Sequence, residues 1–576
     1  MKQQEFFDLY TPEGEALHRQ PWQSYPRPQM RRESWFNLNG SWDFAVTAGD
    51  SIPNQFSEQI LVPFPPQSLL SGIHRNIPED QFLFYRKTFS LPDTFHGGRV
   101  LLHVGAADQT ASVWLNGIHL GEHTGGYDPF TFDVTHALRQ ENTLVICVAD
   151  QMSQGVLPSG KQRAKRGGMW YTPVSGIWQT VWMERVPDRY ITGIQIRTEE
   201  NRAEITVDSD LPDGTVCVQT PEGPLQVPLM RNTARIELDS PRLWSPEDPY
   251  LYHCTIQAGE DRAETYFALR TLSIETVNNI PRLCLNGKPY FFHGLLDQGY
   301  WSDGLFTPAD PVCYEKDILA MKSLGFNTLR KHIKVEPEQF YYDCDRLGMV
   351  VFQDMVNNGG YNFLRDTALP TIGLKQRNDR RMHRRRETRE AFLQAMETTV
   401  RQLKNHPCVC YWTIFNEGWG QFESTLAYRR MKELDAGRFI ATVSGWFKGG
   451  ESDVTAEHVY FKPFRPVRTD KPLVLSEFGG YAFMPEGHAF HPGKEYGYRH
   501  YKTREEFTLG VQTLYQTEIV PAVKEGLCAA VYTQVSDVED ETNGLISYDR
   551  KVLKLKPAEI LPIARRLYEE IQSGSI

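Results

Sequence analysis

Residues 408–417 read CVCYWTIFNE, and this stretch decides the fold. Its apolar side chains stand at consecutive positions, which is typical of a strand buried on both faces in a parallel sheet covered by helices. The run ends in the polar pair Asn416 and Glu417. Residues 472–477, PLVLSE, repeat the pattern and end in Glu477. Both stretches predict buried parallel strands that carry a carboxylate at the carboxyl end.

Similar apolar runs alternate with helical stretches on both sides of these two strands. The eight strand candidates are PYFFHGLL (289–296), NTLRKHI (327–333), MVVFQDM (349–355), CVCYWTIFNE, FIATVSGW (439–446), AEHVYF (456–461), PLVLSE and CAAVYTQ (528–534). Such alternation predicts βα units around a parallel sheet, and eight units in about 300 residues is the size of a (β/α)8 TIM barrel. No Gly-rich phosphate loop follows these strands, which disfavours a doubly wound sheet.

The chain before the barrel is rich in short β runs that are broken by turn residues. RVLLHV (99–104) and TLVICVAD (143–150) are examples from its first part. A second β-rich part follows, and its length suits an immunoglobulin-like sandwich. We therefore predict a multidomain chain with a β-sandwich over residues 1–187, an immunoglobulin-like β-sandwich over 188–275 and a (β/α)8 barrel over 276–576.

Composition limits the class of protein and its partners. With 40% hydrophobic and 23% charged residues, the chain has the composition of a globular protein. Its net charge of -10 argues against nucleic acid as a partner. The acidic N-terminus lacks the apolar core of a secretory signal, and no apolar stretch is long enough to cross a bilayer, so we expect a cytoplasmic protein without a membrane partner. The nine cysteines form neither a disulfide framework nor a zinc spacing.

Polar side chains collect at the predicted carboxyl ends of the barrel strands, where active sites of this fold lie. They are Arg330, Asp354, Asn416, Glu417, His458, Tyr460, Glu477, Tyr532 and Gln534. The two glutamates end strands four and seven, which lie nearly opposite each other. Such a pair suits glycoside hydrolysis, and in a retaining enzyme the two carboxyl groups lie about 5 to 5.5 Å apart. Arg330 would keep one glutamate ionised, while a dry pocket raises the pKa of the other.

Nine motifs follow one another along the chain. They are RRESWFNLNGSWDF (31–44), FYRKTFSLP (84–92), VWLNGIHLGEHTGGYDPFTFDVT (113–135), SGIWQTVWME (175–184), LWSPEDPYLY (243–252), LNGKPYFFHG (285–294), LGFNTLRKH (324–332), TIFNEGWG (413–420) and VLSEFGG (474–480). In this order they resemble glycoside hydrolase family 2, the family of β-galactosidases, β-glucuronidases and β-mannosidases. The resemblance implies that the first domain is the family's sugar-binding jelly roll.

The resemblance also gives roles to individual residues. TIFNEGWG is similar to the family's acid/base signature, which implies that Glu417 is the general acid/base and that Asn416 contacts the sugar 2-hydroxyl. VLSEFGG is similar to the nucleophile signature and implies that role for Glu477. Arg330 is expected beside the nucleophile, and Tyr532 stands where many members carry a tryptophan. The substrate-binding residues that we predict are Asn416, Arg330, Asp297, Trp301, Trp446, His458, Tyr460 and Tyr532.

The sugar is harder to predict than the reaction. Family members that cleave glucuronides commonly carry an Asn-x-Lys motif after the last strands, whose lysine pairs with the sugar carboxylate. Here Asn543 is followed by Gly544 and Leu545, so the lysine is missing from that place. This departure favours a β-galactoside, with an α-L-arabinoside or a β-glucuronide as alternatives. Lys551 is the other cation that could take the role.

The leading hypothesis is a retaining exo-glycosidase that acts by double displacement on an oligosaccharide or glycoside, without a cofactor or a metal. One alternative is a non-catalytic carbohydrate-binding protein that kept the fold. Another is transglycosylation, in which a sugar replaces water in the second step. The oligomeric state is open, a homo-oligomer included. Residues 377–389, RNDRRMHRRRETR, are interpreted either as a solvated loop or as a wall for an acidic or extended aglycone.

Overall fold

The computed structural model describes residues 8–211, 213–358, 361–369, 379–447 and 449–573. Arg377 and Asn378, the first two residues of the arginine-rich segment, lie outside the described residues. Three units follow one another in the described chain, namely two β-sandwiches and a barrel.

The first unit is a sandwich of antiparallel sheets. Its strands are β1 (Trp35–Asn37), β2 (Gly40–Thr47), β3 (Glu58–Val62), β4 (Phe82–Ser90), β5 (Arg99–Val104), β6 (Ala107–Asp108), β7 (Thr110–Leu115), β8 (Ile118–Thr124), β9 (Phe130–Asp133), β10 (Glu141–Ala149), β11 (Gly176–Ile177) and β12 (Val181–Val186). One sheet has the order β1-β12-β5-β9 and the other the order β3-β2-β4-β10-β7-β8, while β11 pairs with β6. Every second side chain of β7 is buried, as expected for a strand with one face on the core.

The second unit is a smaller sandwich, followed by a short three-stranded sheet that leads into the barrel. The strands are β13 (Gly193–Thr198), β14 (Arg202–Asp208), β15 (Gly214–Thr220), β16 (Gly223–Leu229), β17 (Thr233–Glu237), β18 (Tyr252–Ala258), β19 (Asp261–Phe267), β20 (Leu272–Val277), β21 (Ile280–Leu285) and β22 (Lys288–Pro289). The sandwich sheets have the orders β13-β14-β17 and β16-β15-β18-β19. The predicted boundary between residues 275 and 276 falls inside β20.

The third unit is an eight-stranded parallel barrel. Its strands are β23 (Phe292–Asp297), β24 (Thr328–Lys331), β25 (Val350–Asp354), β26 (Val409–Phe415), β27 (Phe439–Val443), β28 (Thr455–Val459), β29 (Leu473–Gly479) and β32 (Leu527–Thr533), while β30 (Tyr481–Ala482) and β31 (Arg499–His500) form a separate ladder. The hydrogen-bonded order is β27-β26-β25-β24-β23-β32-β29-β28. All residues of β26 and β29 are buried, as their unbroken apolar runs predict.

A short helix, α1 (Pro12–Glu15), lies before the first sandwich. The helices of the barrel are α2 (Val312–Ser323), α3 (Glu338–Leu347), α4 (Arg386–Leu403), α5 (Ser424–Leu434), α6 (Arg504–Leu514), α7 (Val520–Lys524) and α8 (Pro557–Ser573), and they cover its outside. Gly348 ends α3 in the left-handed conformation, and a Cβ at this position would lie 2.6 Å from the carbonyl oxygen of Pro246. Only glycine therefore allows this close approach of the second unit to the barrel.

The hydrophobic core of the barrel extends into the first sandwich. Trp22, Tyr127, Tyr171 and Trp178 belong to the same buried cluster as the barrel strands. Large apolar side chains from both units therefore exclude water from one continuous interface. Among the described residues, no helix combines the length and apolar character that a membrane crossing requires. The nine cysteines are free thiols, and eight of them are buried.

Candidate active site

The two predicted catalytic glutamates meet at the carboxyl end of the barrel. Glu417 follows β26 in a short 3-10 turn and has φ 49° and ψ 21°, a left-handed conformation that is costly for a residue with a side chain. The next residue, Gly418, continues the turn with φ 69°. Glu477 lies within β29. This unusual backbone at Glu417 turns its carboxylate back over the barrel mouth.

The carboxylates of Glu417 and Glu477 share one neighbour. His458 Nδ1 lies 3.0 Å from Glu417 Oε1 and 3.5 Å from Glu477 Oε2. One oxygen of each glutamate and one ring nitrogen of His458 all lie within 4.8 Å of one another. Gly445 makes room for this arrangement, because a Cβ there would lie 3.1 Å from the His458 ring. The two acidic groups therefore face the same small space.

Arg330 is the central cation of the site and is wholly buried. Its Nη1 donates to Glu477 Oε1 at 2.9 Å, and its Nε donates to Asp354 Oδ1 at 3.0 Å. Its Nη2 donates to Asn416 Oδ1 at 2.8 Å. A guanidinium offers five donors in a fixed plane, so one side chain orients Glu477, the amide of Asn416 and the carboxylate of Asp354.

Asn416 is held by two donors. Its Oδ1 accepts from Arg330 and, at 3.1 Å, from Ser444 Oγ. With the amide oxygen engaged on this side, the amide NH2 points the opposite way and can donate to a ligand. Ser444 also accepts a 3.3 Å hydrogen bond from the backbone N–H of Glu417. It thus connects the end of the fifth barrel strand to the turn that carries Glu417.

Tyr460 completes the surroundings of Glu477. Its hydroxyl donates to Glu477 Oε2 at 2.5 Å and lies 2.8 Å from Thr533 Oγ1. The Tyr460 ring stacks on Tyr498 with a centroid distance of 3.8 Å. This stacking fixes the ring, so the phenol is positioned before any ligand arrives.

The two glutamates have opposite pKa shifts. Burial alone would raise the pKa of Glu477, but its contacts with His458 and Arg330 outweigh burial and lower the pKa to about 2. Burial raises the pKa of Glu417, and the nearby charge of Glu477 adds to that increase against the hydrogen bond from His458. At neutral pH the nucleophile candidate is therefore ionised, while the acid candidate holds its proton more strongly than an ordinary glutamate.

The Glu417, His458 and Glu477 atoms also have spacings that a metal ion could use. His458 Nε2 lies 3.3 Å from Arg330 Nη1, which can only donate. Nε2 therefore accepts, and the ring proton stands on Nδ1, where it is donated to Glu417. A protonated Nδ1 has no lone pair for a metal, so the observed contacts fit a proton-transfer site better than a metal site.

The structure brings five of the eight predicted substrate-binding residues to this cluster or its border. Arg330, Asn416, His458 and Tyr460 contact the glutamates or one another directly, as described above. Trp446 lies edge-on to His458 at a centroid distance of 5.8 Å. Tyr532 is on the last strand of the barrel but faces away from the cluster.

Tyr532 is a correction to the sequence prediction. Its ring packs against Phe478 and Tyr515 in the layer outside the barrel, and its hydroxyl accepts from the backbone N–H of Tyr481. Successive side chains of a strand point to opposite faces, so Thr533 occupies the inner position instead. Thr533, the next residue on this strand end, is the one that contacts Tyr460.

Asp297 and Trp301 are also not brought to the cluster. Asp297 is paired in register with Lys331 and accepts a 2.6 Å hydrogen bond from its Nζ. Lys331 follows Arg330 on β24 and therefore points away from the barrel interior. Trp301 packs under Arg550 at 4.0 Å and against Tyr314 of α2. Both residues stabilise the layer between strands and helices, so we do not retain them as substrate contacts.

Several site residues were missed by the sequence argument. Ser444 lies within the predicted strand FIATVSGW, and Thr533 is next to Tyr532, the residue that was predicted. His332 lies beside the cluster because its Nδ1 is 2.8 Å from Asp354 Oδ2. Because every second residue of a strand faces the same side, counting two residues on from Arg330 and from Val531 would have predicted that His332 and Thr533 face the site. No pattern in the sequence distinguishes Ser444 from other strand-end serines.

The loop after the last strand carries no lysine at the catalytic cluster. Asn543 Oδ1 accepts from Gln534 Nε2 at 2.9 Å. Lys551, the alternative cation, forms a 2.5 Å ion pair with Glu15 at the surface. The same loop contributes Glu541, whose Oε2 accepts from Gln534 Nε2 at 3.3 Å and from the Tyr171 hydroxyl.

Three family profiles match the chain. Residues 276–505 match the glycosyl hydrolases family 2 TIM barrel domain, residues 74–171 the glycosyl hydrolase 2 galactose-binding domain-like profile, and residues 190–270 the profile described as glycosyl hydrolases family 2. Each lies in a different unit of the fold.

Relatives and solved structures agree with these matches. A β-galactosidase from Thermoanaerobacter pseudethanolicus is 24% identical over 63% of this chain, and the match spans 48% of its own length. The human β-glucuronidase is 26% identical over 75% of this chain and 72% of its own. A Dictyoglomus thermophilum β-D-glucuronidase structure has a TM-score of 0.72 at 20% identity, covering 95% of this chain and 98% of that one.

Proposed function

This chain belongs to glycosyl hydrolase family 2, and from that premise we propose that it is a retaining, exo-acting glycosidase with Glu477 as nucleophile and Glu417 as general acid/base. One observation carries the proposal: an oxygen of Glu417 lies within 4.8 Å of an oxygen of Glu477. Retaining enzymes have carboxyl groups about 5 to 5.5 Å apart, whereas inverting enzymes need about 6.5 to 9.5 Å to admit a water molecule.

The first step forms a glycosyl-enzyme. The ionised Glu477 attacks the anomeric carbon, and the bond from that carbon to the leaving oxygen breaks. Glu417 donates its proton to the leaving oxygen, so the aglycone departs as a neutral alcohol and Glu417 becomes a carboxylate. In the second step this carboxylate takes a proton from water as the water oxygen attacks the anomeric carbon. The sugar is released with its original configuration, and Glu477 is again ionised.

The charge of Glu477 couples the two steps. In the resting site this charge helps to raise the pKa of Glu417. The charge disappears when Glu477 becomes an ester, so the pKa of Glu417 falls at the moment when it has to act as a base. The same residue thus suits both roles without movement of the barrel.

The surroundings support an exo-acting enzyme. A segment of the first sandwich runs over the mouth and contacts loops after the third and eighth barrel strands, through Ser159 to Asn357 and through Thr172 to Glu539. A covered mouth accepts a chain end more readily than the middle of a polymer.

The NH2 group of Asn416 is the donor that we propose for the sugar 2-hydroxyl. The relatives are β-galactosidases and β-glucuronidases, so we propose a β-linked pyranoside as substrate.

Covalent trapping tests the proposal. A 2-deoxy-2-fluoro glycoside with a good leaving group should inactivate the protein and add one sugar to the peptide that contains Glu477, as read by mass spectrometry. Proton NMR of early product from an aryl β-glycoside should show the β-anomer first. Early α-anomer, or a label on another carboxylate, would contradict the assignment.

A further inference from the structure

The loop that covers the mouth carries a buried lysine. Residues 150–175 connect β10 to β11, and Lys161 on this loop is 8% exposed. The preceding residue is pressed against the barrel, because a Cβ on Gly160 would lie 3.0 Å from the carbonyl oxygen of Ile333. Ile333 follows His332, so Lys161 enters next to the loop after the second barrel strand.

Lys161 differs from the other buried lysines of the described chain. Lys331, Lys334 and Lys554 each form an ion pair of 2.6 to 2.9 Å with a buried carboxylate. In the described ranges, the ammonium of Lys161 has no carboxylate within salt-bridge distance, and its one recorded contact is the Tyr171 ring at 5.6 Å. A buried charge without a partner is costly unless something else supplies the opposite charge.

The ammonium lies near the catalytic cluster. Its charge opposes the effect of burial on the pKa values of Glu541 and Glu417. Glu541 is not its hydrogen-bond partner, because it accepts from Tyr171 and Gln534. The Tyr171 ring that the ammonium contacts is bound through its hydroxyl to Glu541, and Gln534, the other donor to Glu541, follows Thr533, which contacts Tyr460. The cation therefore lies at the border of the catalytic cluster and remains available to a ligand.

A second basic segment borders the same side of the mouth. Asp379 accepts a 2.9 Å hydrogen bond from the backbone N–H of Ser424, which fixes this part of the arginine-rich segment against the start of α5. Arg385 donates to the carbonyl of Gln154 at 3.1 Å and so joins the two segments. The arginines there are mostly exposed, in a chain whose net charge is -10. A local cluster of one sign attracts ligands of the opposite sign.

We propose that Lys161 is a specificity-determining residue that binds the carboxylate of an acidic terminal sugar, so that the enzyme prefers glycosides of sugar acids to the matched neutral glycosides. This inference rests on the proposed glycosidase function. The position of Lys161 beside the catalytic cavity assigns it to the terminal sugar, while the arginines at the rim face the aglycone side. The cation comes from the first sandwich and not from the loop after the last barrel strand.

Steady-state kinetics on matched substrate pairs test the proposal. The substrates are the 4-nitrophenyl β-glycosides of glucuronic acid and glucose, and of galacturonic acid and galactose. The wild type should have the higher kcat/KM on at least one acid of a pair. Lys161→Met keeps the length of the side chain and removes the charge, so it should lower kcat/KM on that acid by about 10- to 100-fold, mainly through KM. The loss on the neutral partner should be at least about tenfold smaller.

Two further variants sharpen the comparison. Lys161→Arg keeps the charge and should retain part of the preference. Lys165→Met removes an exposed lysine of the same loop and should leave both rates unchanged. Equal losses on acidic and neutral sugars in Lys161→Met, or a wild type that prefers the neutral sugars, would overturn the role of Lys161 but leave the glycosidase intact. Absence of hydrolysis on all four substrates would instead count against the proposed function, and trapping of Glu477 by the fluoro sugar verifies that each variant is folded.

Discussion

Tyr460 donates a 2.5 Å hydrogen bond to Oε2 of Glu477, the oxygen that Arg330 does not hold. Each oxygen of the nucleophile therefore has its own donor, one neutral and one charged. Two donors fix the plane of the carboxylate and favour its ionised form. The nucleophile is thus oriented before the sugar binds.

Tyr460→Phe should lower kcat/KM by about 10- to 100-fold, since a hydrogen bond to a charged group contributes about 1.5 to 3 kcal/mol. Tyr532→Phe is the matched control, because the structure places that hydroxyl outside the barrel, and it should change kcat/KM by less than about threefold. Kinetics on one aryl glycoside decide the point. A larger loss in Tyr532→Phe than in Tyr460→Phe would restore the prediction made from the sequence.

Glu477→Ala should lower kcat by at least about 10⁴-fold, because the covalent step has no nucleophile. Azide should restore part of the activity on an aryl glycoside and give the α-glycosyl azide. Glu200→Gln, an exposed glutamate of the second sandwich, serves as control. A lack of rescue together with native circular dichroism would weaken the nucleophile assignment.

The pKa shifts predict a broad kcat/KM profile. Glu477 must be ionised, and its pKa of about 2 keeps it so down to acid conditions. Glu417 must be protonated, so activity should fall as the pH rises through its raised pKa. Glu417→Gln should abolish this alkaline limb and should damage substrates with poor leaving groups much more than activated aryl glycosides. Equal damage on both classes would contradict the acid role.

Arg330→Met should destabilise the protein by about 3 to 5 kcal/mol, because it leaves Asp354 and Glu477 buried without their cation. The pKa of Glu477 should rise, so the acid limb of the pH profile should move to higher pH. Urea denaturation and the pH profile measure the two effects. Arg75→Met removes an exposed ion pair and should cost less than about 1 kcal/mol.

Asp297→Asn should reduce stability and leave the chemistry unchanged, since Asp297 pairs with Lys331 outside the barrel. Burial alone would raise the pKa of Asp297, but Lys331 lowers it below the ordinary value. Its contribution to stability is therefore present above the pKa of the unfolded chain and is lost as the pH falls through the folded pKa. Thermal unfolding at pH 7 and pH 3 should differ more in the wild type than in the variant, while KM stays constant.

The barrel and its catalytic strand ends were predictable because they depend on local patterns. Unbroken apolar runs such as CVCYWTIFNE predict strands with two buried faces. A glutamate at the end of such a run is expected at the carboxyl end of the barrel, where active sites of this fold lie. Eight such units in about 300 residues then predicted the barrel. These features lie in consecutive residues, so a single sequence contains them.

The residues that surround the glutamates were harder to predict because they depend on side-chain direction or on contacts distant in sequence. Tyr532 and Thr533 are adjacent, and only the register of the strand decides which of them faces inward. Asp297 was chosen as a polar residue at a strand end, but its partner Lys331 holds it on the outer face. Lys161 comes from another unit of the fold, more than 250 residues before Glu417.

The continuous core that joins the first sandwich to the barrel has a practical consequence for anyone who dissects this protein. A fragment that begins at the barrel would expose the surfaces now covered by Trp22, Tyr171 and Trp178, and such apolar faces promote aggregation. Truncated or domain-exchanged variants should therefore keep the first sandwich and the barrel together. Changes to the overhanging loop can then redirect selectivity while the proton-transfer machinery stays untouched.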